Sequence, residues 1–132
     1  MTIARQSSGL LRRGHQRERG LLRCLLATVH PERGLSRVLV QHLARELPGV
    51  AFTLLPDTPE LDTVWLCGFE PGAAALVTRV RGRHPRSHLL VSGRRPTGAW
   101  AETAFAAGAD AVCGWPVSLA QIEALLRGGR PR

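Results

Sequence analysis

The chain has no lysine. All 18 of its basic side chains are arginines, set against ten acids, for a net charge of +8. So one-sided a preference points first to a GC-rich coding sequence, so the charge informs function only where it is uneven. Aromatic residues make up 5% of the chain and cysteines number three. Cys24, Cys67 and Cys113 are odd in number and widely spaced, without paired-thiol or zinc-ligand spacing, which argues against a disulfide-stapled or zinc-held fold. They read as reduced thiols used as small buried hydrophobes. No apolar run approaches the roughly 18 residues of a membrane-spanning helix. The N-terminal stretch also lacks the apolar core and cleavage site of a secretory leader. The expectation is a cytoplasmic protein with no membrane contact.

Apolar residues make up 44% of the 132, enough for one domain with its own core. The charge is indeed uneven. Residues 1–23 carry six arginines against Glu18, whereas the remaining 109 carry twelve against nine acids. This predicts a basic arm over residues 1–21 and a folded domain over residues 22–129. Arg12, Arg13, Arg17 and Arg19 are the arm's candidates for weak contact with nucleic acid. No helix-turn-helix or aromatic strand pair accompanies them, so such contact would be phosphate-driven and unspecific. The plainer reading is a solvated terminus.

From residue 22 onward, apolar runs alternate with helical patterns. Arg23 to Val29 is a near-continuous apolar run, as in a strand covered on both faces. Leu39, Val40, Leu43 and Leu47 form one helical stripe, ended by Pro48-Gly49. Val50 to Leu55 reads as the second strand and Thr63 to Cys67 as the third. Only Pro56 to Leu61, with two prolines, lies between them, room for about one helical turn. The helix expected there is shortened or missing, which should leave apolar surface at Leu55 or Val64 exposed. Pro71-Gly72 opens a helix carrying Ala73, Leu76, Val77 and Val80, which Gly82 should end. His88 to Ser92 is the fourth strand. Ala101, Ala104, Phe105 and Gly108 share a face of the next helix, and Ala111 to Cys113 is the fifth strand. Ser118 and Gln121 make a capping box for a last helix burying Leu119, Ile122 and Leu126. The predicted fold is α/β, a flavodoxin-like doubly wound five-stranded parallel sheet of order 2-1-3-4-5. Chemistry in such sheets sits beyond the carboxyl ends of the strands.

The stretch Gly108-Ala109-Asp110, followed by Trp115-Pro116, is similar to the Gly-Ala-Asp signature and later Lys-Pro pair of bacterial two-component receiver domains. Arg83 to Gly93 resembles that family's approach to its fourth strand. Asp62 to Pro71 keeps the spacing of its third strand and following proline. The resemblance covers roughly residues 23–127, and it implies a set of active positions. The acidic, magnesium-holding pair falls at Thr28 and Val29, and the phosphoacceptor aspartate at Cys67. The hydroxyl residue survives as Ser92. The lysine falls at Trp115, with Pro116 kept after it in what the resemblance implies is a cis bond. Thr28 and Val29 offer one hydroxyl and no charge, while magnesium wants carboxylate oxygens. Phosphoryl transfer rests on positioning and on charge stabilisation by metal and lysine. With these and the acceptor gone, the expectation is a pseudo-receiver with no catalytic residue, metal or cofactor.

Cys67 as a redox or covalent centre is set against the plainer reading of a buried strand-end thiol. His30 lies where cobalamin-binding domains place a histidine, but Val29-His30-Pro31-Glu32-Arg33-Gly34 lacks their aspartate and has one residue too many. Acting by resemblance, the domain would bind a protein partner, or a second copy of itself, in bacterial signalling or transcriptional control. The face would display Arg94, Arg95, Trp100 and Glu102, with Trp100 either an exposed anchor or a cap on the edge of the core. The alternatives are a nucleic-acid-associated protein using the arm, and a small-molecule sensor using the vacated pocket.

Overall fold

The computed structural model describes residues 21–30, 35–55, 60–94, 97–115 and 117–128, and within these not the side chains of Leu35, Ser36 and Trp115. The arm with Arg12, Arg13, Arg17 and Arg19, the Pro56 to Pro59 stretch, Arg95 and the Trp115-Pro116 bond therefore lie outside the description. Five parallel strands form one sheet of order β2-β1-β3-β4-β5. They are β1 (Leu22–Thr28), β2 (Val50–Thr53), β3 (Thr63–Cys67), β4 (His88–Arg94) and β5 (Ala111–Trp115). Among the described residues there are four α-helices: α1 (Leu35–Glu46), α2 (Ala74–Arg83), α3 (Gly98–Ala107) and α4 (Leu119–Arg127). The order is the predicted one, and no helix is described between β2 and β3.

The alternation of side chains along each strand sorts the core into two halves. On one face Cys24, Leu26, Trp65, Cys67 and Leu90 pack under α1 and α4, through Leu43, Leu47, Ile122 and Leu126. On the other, Leu25, Val64, Leu66, Leu89 and Val91 pack under α2 and α3, through Val77, Trp100 and Ala104. Of the two residues named as possible exposed surface, Val64 is fully buried, because α2 and the half-buried Leu61 cover this face. Leu55 is 69% exposed, as anticipated.

Local signals set the helix ends. Thr97 Oγ1 accepts from Trp100 N at 3.1 Å at the start of α3, and Ser118 and Gln121 form the predicted reciprocal cap on α4. Pro71–Ala73 is a 3-10 turn leading into α2, which runs past Gly82 to Arg83. The aromatic residue on the inward face of α3 is Trp100, not Phe105. Phe105 is 48% exposed, whereas Trp100 is 5% exposed. Trp100 and Ala104 are four residues apart and share the inward stripe, which leaves Phe105 one position off it.

The Gly-Ala-Asp stretch is the joint at the amino end of the sheet. Gly108 ends α3 with φ +124°, a region that side chains disfavour, and a Cβ there would lie within 3 Å of Arg81. Asp110 Oδ2 accepts from Leu89 N and from the Arg81 guanidinium, both at 2.8 Å, while Asp110 N donates to Leu89 O at 2.8 Å. The carboxylate thus adds a rung to the β4–β5 ladder. Partial burial raises its pKa, but the Leu89 amide, Arg81 and nearby His88 outweigh that and hold it below the usual carboxylate range.

Candidate functional site

Register places the receiver-like positions in one row across the carboxyl edge. Thr28 pairs with Cys67, Cys67 with Ser92, and Ser92 with Cys113. Val29 follows, its N–H donating to Cys67 O at 2.9 Å. The backbone of Trp115 pairs with Arg94, two residues beyond Ser92. The structure therefore gathers Thr28, Val29, Cys67 and Ser92, but no carboxylate stands among them.

Ser92 and Cys67 are turned inward. Ser92 is fully buried, and its Oγ accepts from Trp65 Nε1 at 2.8 Å. The Cys67 thiol is pushed up to about 12 by burial, opposed by a hydrogen bond with Ser92 and reinforced by neighbouring Cys113. A thiol so protonated is a poor nucleophile at neutral pH. Trp65 is the residue that sequence reading passed over. It stands two positions before Cys67, hence on the same face of β3, and its ring occupies the core beneath the row.

At the same edge of the sheet, formed by the loops after β1, β3 and β4 and not by the row itself, lies an open cleft of about 430 Å³, lined by His30, Gly68, Phe69, Glu70, Arg94 and Thr97 among others. His30 Nε2 lies 3.4 Å from Glu70 Oε1, tying the loops after β1 and β3 together. Phe69 and Trp100 meet edge to face, centroids 4.8 Å apart, and form the cleft's apolar floor. Gly93 makes this approach feasible: a Cβ there would fall 2.5 Å from Phe69 O and 2.7 Å from the Trp100 ring. Trp100 is thus structural, the second of its two expected roles and not the exposed anchor, because it fills the gap over Gly93. Arg94 and Glu102 are exposed as expected.

A five-stranded parallel sheet in this order, with helices on both faces, defines a flavodoxin-like fold of the receiver type. No family model and no curated protein matches the chain. Solved structures do, and response-regulator receiver domains are prominent among them. A LuxR-family two-component response regulator from an Aurantimonas species is 23% identical over 82% of this chain and 86% of that one, with a TM-score of 0.62. A response regulator from Burkholderia pseudomallei, solved with a phosphorylated aspartic acid, is 20% identical over 79% of this chain and 66% of that one, at 0.61. An orphan response regulator of H. pylori is 26% identical over 82% and 98%, at 0.55.

Proposed function

We propose that this chain is a pseudo-receiver, a cytoplasmic, non-enzymatic signalling domain that works through protein contact and without phosphorylation. One observation carries the reading. The row where a receiver would hold its metal and acceptor consists of Thr28, Val29, Cys67 and Ser92, which lack any carboxylate, and the last two are buried and bonded inward. Neither a hard cation nor a phosphoryl group finds charge or access there. The fold of response regulators, one of the similar structures being an orphan, supports a regulatory role. The partner face is the one formed by α3, β5 and α4. It carries exposed Arg94 and Glu102, with Phe105 and Leu119, 48% and 36% exposed, as apolar anchors in place of Trp100.

Incubation with acetyl phosphate or beryllofluoride and magnesium tests the first half. Intact mass and tryptophan fluorescence should stay unchanged; a stoichiometric phosphoprotein would refute the reading. Phe105→Glu tests the second half: it should abolish partner binding or self-association without changing the melting curve. The cleft supports a second reading, a small-molecule sensor, because His30, Glu70 and Arg94 offer charge of both signs beside an apolar floor. Ligand-dependent thermal stabilisation that Arg94→Ala removes would favour it.

A further inference from the structure

From Pro71 to His88 the chain has no acidic residue, yet it carries Arg79, Arg81, Arg83 and Arg86. Arg81 turns inward to Asp110 and to the His84 and Ser87 carbonyls, at 2.8, 2.5 and 2.5 Å. Arg79, Arg83 and Arg86 are exposed, and no ion pair engages them among the described residues. Arg79 and Arg83 stand one helical turn apart, about 6 Å along α2. Arg86 follows, also exposed, in the turn before β4. Partial burial lowers the pKa of His84, and the neighbouring Arg83 and Arg81 lower it further. Several acids at this end of the sheet are already engaged: Glu60 and Asp62 lie against Arg23, Asp110 against Arg81, and Glu123 against Arg127.

The surroundings favour one kind of partner. Among the described residues the exposed large apolar ones are Val38, Leu55, Phe105 and Leu119, and none lies on α2 or the turn after it. A protein interface would want such an anchor. No aromatic side chain accompanies these arginines, so there is nothing on which to stack unpaired bases. Gly82 sits between the arginines with nothing within 4 Å of a would-be Cβ and no positive φ. The helix backbone is therefore open to close approach at this point. Helix C-termini and strand N-termini share one end of a parallel sheet, so β1 begins at this end too. Arg23, Asp62 and His88 form a row across it, joined by Asp62 N to Arg23 O and His88 N to Asp62 O, each 2.9 Å. The arginine-rich N-terminal sequence therefore joins the domain roughly 10 Å, two strand spacings, from the turn before β4.

We propose that Arg79, Arg83 and Arg86 form a docking face for the phosphate backbone of double-stranded DNA, at the end of the sheet opposite the receiver-like row. Fluorescence anisotropy of the full chain with a labelled mixed-sequence duplex, from about 50 to 200 mM salt, tests it. The unsubstituted chain should bind with steep salt dependence. The triple variant Arg79→Gln, Arg83→Gln, Arg86→Gln should bind at least about tenfold more weakly at the low-salt end and lower the slope of log K against log salt by about 3. Arg37→Gln, an exposed arginine on α1, should stay within about twofold, since it lies far from the face. An unchanged melting curve shows that the triple variant is folded. The proposal is overturned by no binding at low salt, by a triple variant that binds like the unsubstituted chain, or by loss confined to Arg12, Arg13, Arg17 and Arg19 variants. Tighter capture of the single strand or of polyglutamate also overturns it.

Discussion

Replacing Asp110 by alanine removes one carboxylate that holds β4, β5 and α2 together, so its cost can be worked from the contacts. The Leu89 amide loses its 2.8 Å acceptor in a residue that is 1% exposed. A buried donor left unmatched costs about 1–3 kcal/mol. The Arg81 pair adds less: the Asp110 side chain is 46% exposed, and water screens such a pair to under about 1 kcal/mol. The expected loss is about 2–3 kcal/mol, or roughly 10–20 °C in Tm for a domain of this size. Asp110→Asn keeps an oxygen for the amide and gives up only charge, so it should cost about 1 kcal/mol or less. Urea melts followed by tryptophan fluorescence measure both. The pH dependence has a definite sign. The folded pKa lies below the unfolded value, so the ionised carboxylate stabilises fully above that value, about 3.9, and stops doing so as pH falls through the folded one. The alanine deficit should therefore be constant at neutral pH and narrow below about pH 4. An alanine variant within about 0.5 kcal/mol of the original, or an asparagine variant as damaged as alanine, would refute the ladder-rung reasoning.

Gly93→Ala should destabilise by about 1–3 kcal/mol, measured by thermal melt, because the new methyl meets a backbone carbonyl and the Trp100 ring. Trp100→Ala should cost about 3–5 kcal/mol in the same assay, as a 5% exposed indole packed on Phe69 does; a near-neutral result would return Trp100 to the surface. Cys67 should resist a thiol reagent at pH 8 in the native state, since a thiol at about 12 leaves little thiolate, and should react on unfolding. Ser92→Ala and Trp65→Phe should be coupled by about 0.5–1.5 kcal/mol in a double-mutant cycle, the net worth of the bond they share.

Strand order, the two-faced sheet and the caps on α4 were legible in the sequence, because they follow from local signals. Continuous apolar runs mark strands buried on both sides, and a serine three residues before a glutamine marks a helix start. That Thr28, Val29, Cys67 and Ser92 include no carboxylate is a matter of residue identity, while their meeting in one row follows from the register of the strands. Contacts between segments far apart were not legible. Trp65 reads as one more strand residue until β4 brings Ser92 within 2.8 Å of its indole. Trp100 and Phe105 carry similar apolar weight, and either could face inward by periodicity. The gap over Gly93, created only when β4 and the loop after β3 come together, admits Trp100 and turns Phe105 outward. The arginines of α2 are scattered in sequence among valine, glycine and histidine. The fold divides them by direction, because Asp110 draws Arg81 inward while Arg79 and Arg83 stay exposed.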